Sequence, residues 1–65
     1  VAALRNAIVM LPDHLRDVVL MHDLAQIPYG EVAAVLGITA GTARVYRRKA
    51  IIQLAQWLQD NEVSP

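Results

Sequence analysis

Arg44 and Arg48 stand four residues apart, with Val45 between them, in the stretch YGEVAAVLGITAGTARVYRR that runs from Tyr29 to Arg48. That spacing puts both guanidinium groups on one face of a helix. A guanidinium offers a rigid fork of donors that matches O6 and N7 of guanine, and a valine can touch a thymine methyl, so this face has the chemistry of a major-groove reader. Arg47 and Lys49 point more sideways and suit phosphate oxygens. No side chains in this stretch form a nucleophile, a base and an orienting acid, and no glycine-rich loop follows a strand to hold phosphate. An enzyme is not expected.

A helix that presents these arginines needs a sharp, capped beginning. Thr39 supplies a hydroxyl for the free N–H groups of the first turn. Gly37 lies where the backbone must take a positive φ, and Ile38 can plug the angle between two helices. Ahead of the turn, Val32, Ala33 and Leu36 share a helical face, and the small Ala33 lies where the two helices come closest. Together these features make a helix-turn-helix over about 29–48. Its outward face consists of Ala40, Gly41, Arg44, Val45 and Arg48, with Thr39 and Thr42 at the rim. With Arg47 and Lys49, they form the candidate DNA-binding set. The competing reading of the basic run is a solvated helix face.

The rest of the chain reads as further helices. Leu4, Ala7, Ile8 and Leu11 follow helical spacing in a first segment that Pro12 closes. Pro12 and Asp13 open a second helix, in which Leu15, Val18, Val19 and His22 mark one face down to about Ala25. Pro28 starts the third helix, which reaches Leu36. The fourth begins after Thr39 and is expected to run to about Leu58, since Ala43, Tyr46, Ala50, Leu54 and Trp57 continue at steps of three and four. No period-two alternation survives, so the predicted class is an all-α, compact four-helix domain with a C-terminal helix-turn-helix. Tyr46 is expected in the core, with base stacking as its alternative, and Trp57 is expected in the core with its indole N–H at an edge.

Sixty-five residues allow one domain, and 55% of them are apolar. Charged residues make up 18%, below the roughly 25% of an ordinary soluble domain. Some apolar surface is therefore expected to face a partner, with Val19, Leu20, Val35, Ile51 and Ile52 as candidates. Val1 in place of an initiator methionine and the polar tail Asn61-Glu62-Val63-Ser64-Pro65 fit a segment of a longer polypeptide. The formal net charge is zero, which taken alone argues against nucleic acid. The distribution reverses that: Arg44, Arg47, Arg48 and Lys49 are four of the six basic residues, whereas the acidic residues lie before or after them. Without cysteine there are no disulfides or thiolate metal sites, and His14 and His22 lack a third ligand at metal spacing. No cofactor is implied. No apolar run approaches the ~20 residues of a membrane span, and a cytoplasmic setting is permitted.

From about Leu11 to Leu58 the chain resembles region 4 of extracytoplasmic-function bacterial sigma factors. The resemblance is carried by Leu11-Pro12, the Arg16 to Leu20 stretch RDVVL, His22-Asp23-Leu24, Tyr29 with Glu31-Val32-Ala33, Leu36-Gly37-Ile38-Thr39, Gly41-Thr42 and Ala50. It implies a domain that grips the −35 element of double-stranded promoter DNA, docks on the flap of RNA polymerase and can be masked by an anti-sigma factor. Carried over by position, Arg44, Val45 and Arg48 would face bases, with Thr39, Gly41 and Thr42 near the DNA backbone. The sequence departs from the pattern at Pro28, Gly30 and Ala43, and at Arg47, where an aliphatic residue is frequent and Tyr46 takes the inward role. Thr42-Ala-Arg-Val-Tyr-Arg also looks like the recognition helix of LuxR-type response regulators. A helix-turn-helix-like protein-docking module without DNA binding is the reading from a different class.

Overall fold

The computed structural model describes residues 2–60; Val1 and residues 61–65, and with them the tail assigned to a longer chain, lie outside the described residues. Four α-helices follow one another: α1 Ala2–Met10, α2 Asp13–Val19, α3 Tyr29–Leu36 and α4 Ala40–Asp60. No strand occurs among the described residues, and the all-α class holds. Prolines and a glycine set most of the boundaries. Pro12 and Pro28 each precede a helix with φ near −55° to −60°, and their carbonyls accept the first helical bonds, from Leu15 and Arg16 and from Glu31 and Val32, at 2.9–3.0 Å. Neither helix has a side-chain cap, so Asp13 and Glu31 in their first turns are the groups that complement the helix dipoles.

The second helical segment departs from expectation. In place of one α-helix to about Ala25, α2 ends at Val19 and continues as a π-helical turn, Leu20–Leu24. The Ala25 N–H donates to the Leu20 carbonyl at 3.0 Å, closing the wider ring, and the Ile27 N–H reaches back to the Met21 carbonyl at 2.9 Å. Gln26, which follows, sits at φ 59°, in the left-handed region that a side chain enters at a cost of about 1–2 kcal/mol. The widened turn and this residue swing the chain into Pro28 and α3.

Two apolar clusters hold the helices. The first joins α1, α2 and the C-terminal half of α4 through Ala7, Leu11, Leu15, Val19, Ala50 and Leu54, with Ile8, Trp57 and Leu58 packed around it. The second, built on Val18, Val32 and Ala43 with Met21, Ile27, Leu36 and Ile38, seals the helix-turn-helix. Leu15, Val18 and Val32 are fully buried, each contributing about 1.5–3 kcal/mol of transfer free energy. Tyr46 is half-buried and packs against both clusters, with its ring edge-on to His14 at 4.8 Å. Its expected core role holds at this seam.

The expected apolar surface is corrected at one position. Val19 is only 3% exposed, because α2 lies between the clusters and directs Val18 into one and Val19 into the other. Leu20, Val35, Ile51 and Ile52 do remain exposed. A groove of about 300 Å³ runs between α1 and the π-turn, lined by Leu4, Arg5, Ile8, Val9, Leu20 and Leu24. Arg16 ties α1 to α2 beside it by donating to the Val9 carbonyl at 3.1 Å and pairing with Asp13.

Candidate nucleic-acid interface

The turn between α3 and α4 is built from backbone bonds that its residue types permit. Gly37 takes φ 70°, and its N–H and that of Ile38 both return to the Ala33 carbonyl. This is the glycine-terminated helix end in which carbonyls of the last turn regain partners. A Cβ at Gly37 would meet nothing within 4 Å, so glycine is required there by the backbone conformation rather than by crowding. Thr39 then caps α4: its Oγ1 accepts the Thr42 N–H at 3.0 Å and donates to the Thr42 hydroxyl at 2.9 Å. Both threonines are thereby tied into the helix start.

Beyond the cap, the first turns of α4 divide into an inner and an outer side. Ala43 is fully buried against α3, where its small side chain lets the helices approach. Gly41, Arg44, Val45, Arg48 and Lys49 are exposed, as is Thr39, while Ala40 and Thr42 are half-buried at the rim. Three of the four clustered cations thus face outward along the N-terminal half of α4. Such a surface attracts a polyanion through side-chain charge.

Arg47 behaves differently from the sideways phosphate contact expected of it. It is half-buried, and its Nε–H donates to both carboxylate oxygens of Asp23, at 2.9 and 3.1 Å. The hydrogen bond it donates to Asp23 is the main cause holding its pKa above the ordinary arginine value; partial burial opposes it, and the charge of Asp23 adds to it. The physical reason is position: Arg47 lies four residues from Ala43 and three from Ala50, both buried, so its stem points inward and its head meets the π-turn.

Sequence reasoning also missed an aromatic layer at the edge of this face. His22 stacks on Tyr29 with ring centroids 3.8 Å apart and planes 18° from parallel. The Arg44 guanidinium lies over the same tyrosine ring, its Cζ 5.2 Å from the centroid. The signal in the sequence was the pairing of His22 and Tyr29 around Pro28, which shows only once the π-turn is known. Among the described residues no group of three or more His, Cys, Asp or Glu could hold a metal ion, and no helix is long and apolar enough to cross a membrane.

The fold and this surface define a helix-turn-helix domain with a basic outer helix face. The family model described as Sigma-70, region 4 matches residues 2–54, and the chain belongs to that family. It is a family of non-catalytic DNA-binding domains that act at the promoter −35 element in transcription initiation, together with RNA polymerase. No match was found among curated proteins or among solved structures.

Proposed function

We propose that this chain is the promoter-reading domain of an extracytoplasmic-function type sigma factor, working with the transcription machinery in the cytoplasm. In this reading Arg44, Val45 and Arg48 contact base edges of the −35 element. Thr39, Ala40, Gly41, Thr42 and Lys49 lie along the DNA backbone, and Arg47 reaches a phosphate only on release from Asp23. The observation that carries the reading is the exposed row of Gly41, Arg44, Val45 and Arg48 at the capped start of α4, immediately after the Gly37 turn. The family match favours it over a LuxR-type effector domain.

The same protein must also meet the polymerase, and the groove between α1 and the π-turn is the surface we assign to the flap. Its Val9, Leu20 and Leu24 are exposed apolar residues, which a free domain leaves in water at a cost and a docked helix would cover. An anti-sigma factor would compete for this groove or cover the basic face of α4.

The test is binding to a duplex pool randomised over the −35 element, comparing wild type with Arg44→Ala, Arg48→Ala and Lys49→Ala. Each of the first two should lose ~1–3 kcal/mol of discrimination at one base position, while Lys49→Ala should weaken all sequences alike and reduce the salt slope by about one. Equal, sequence-independent losses from all three would remove the base-reading assignment. Absence of any DNA binding by the wild type would favour a docking module.

A further inference from the structure

We infer that Tyr29 and His22 are positioning residues for base recognition, forming a stacked pedestal that holds the Arg44 guanidinium ready for DNA; this rests on the proposed reading of Arg44 as a base contact. The pedestal is built outward from the backbone. Gln26, at φ 59°, turns the chain so that the Ile27 carbonyl faces His22. That carbonyl can only accept, so the 2.9 Å contact fixes a proton on Nδ1 of His22 and orients the imidazole plane. The oriented ring lies nearly flat against Tyr29, and with His22 packed on it the phenol ring cannot rotate about its own bonds without losing the stack. Arg44, from α4, lies against this fixed ring.

The consequence is one of entropy as much as attraction. A free arginine side chain samples many rotamers, and a base contact requires one narrow set of them. Arg44 and Arg48 are both exposed on the same helix face, yet among the described contacts a ring supports Arg44 alone. The two arginines therefore have different roles in the free domain: Arg44 is preset by α3 and the π-turn, and Arg48 is ordered by DNA. Tyr29 is also the first residue of α3, so the pedestal links the start of the first helix of the motif directly to the reading face of the second.

Two measurements on the full chain test this. In the first, the randomised duplex pool is bound by wild type, Tyr29→Leu, Tyr29→Phe and the double variant Tyr29→Leu/Arg44→Ala. Tyr29→Leu should reduce discrimination about two- to five-fold, as expected for an exposed cation–π contact, and only at the base position whose preference Arg44→Ala abolishes. Tyr29→Phe, which keeps the ring, should retain wild-type discrimination, and the double variant should lose no more than Arg44→Ala alone. Equal loss at the position read by Arg48, or failure of the phenylalanine variant to rescue, overturns the positioning role. In the second, NMR of the free wild-type protein needs no variant to fold. The Nε–H proton of Arg44 should show a ring-current shift and higher order than that of Arg48, and equal mobility of the two overturns the pedestal. A wild type that discriminates at no base, or an Arg44→Ala variant that loses no position-specific preference, overturns the base-reading function and the pedestal with it. Intact Arg44-dependent reading in Tyr29→Leu overturns the pedestal alone.

Discussion

Asp23 grips Arg47 through both carboxylate oxygens across 24 residues of sequence, joining the π-turn to α4. Their side chains keep 26% and 38% exposure, so solvent screens the pair and its contribution to stability is ~1 kcal/mol or less. Its larger effect concerns charge, because it places an acid beside the basic face of α4.

Asp23→Asn should therefore cost little in melting temperature while strengthening DNA binding, since Arg47 is released and one repulsive charge is gone. The dependence of log Kd on log salt should steepen by about one unit. A titration series between low and moderate salt checks this. Weaker binding at every salt concentration would mean that the pair's main work is to set the angle of α4.

Tyr46→Ala should destabilise the domain by ~3 kcal/mol or more, because one side chain leaves both apolar clusters at once. That is a large share of the stability of so small a chain. Tyr46→Phe should melt close to wild type. Thermal unfolding followed by circular dichroism decides between this and base stacking, for which melting would be unchanged while DNA affinity fell.

Gly41→Ala should separate stability from binding. The added Cβ would meet only Thr39 Oγ1, at an ordinary 3.8 Å, and the helix would gain ~0.5–1 kcal/mol from the exchange. The same methyl would stand on the exposed first turn, where the proposed DNA backbone approaches. A higher melting temperature with weaker DNA binding is the expected pair of results; unchanged affinity would place DNA away from Gly41.

Gln26→Gly should stabilise. Relief of a left-handed side-chain residue is worth ~1–2 kcal/mol, and glycine gives back ~0.5–1 kcal/mol in unfolded-chain entropy. The net gain should raise the melting temperature by a few degrees in a domain of this size. Calorimetry provides the check, and a lower melting temperature would show that the Gln26 side chain contributes more than its backbone costs.

The helix boundaries were legible because the residues that set them act locally. Pro12 and Pro28 fix their own φ, Gly37 admits the left-handed turn, and Thr39 bonds a group three residues away. The exposed row of Gly41, Arg44, Val45 and Arg48 followed from those boundaries and helical spacing. The π-turn was not legible, because residues 20–24 have no local signal for a wider ring and their side chains meet partners from α3 and α4. The ion pair of Arg47 with Asp23 was not legible from charge alone, although spacing from Ala43 and Ala50 already put Arg47 on the inner side. Val19 lies on the face that periodicity marks in the second helix, yet the apolar excess also made it a candidate for exposed surface; α2 packs on two sides and buries both adjacent valines, so the first reading holds.

The widened turn at Leu20–Leu24 also fixes how this domain can tolerate changes in length. An α-helix advances about 100° per residue, so deleting one residue there would let the segment close as an ordinary helix, with its backbone bonds intact. The chain would still look helical by circular dichroism. Yet His22 and Asp23 would rotate away from Tyr29 and Arg47 together, so Tyr29 would lose the imidazole stacked on it and α4 its tether in a single step. One residue of chain length at this point thus acts as a register setting for α4 against the rest of the fold.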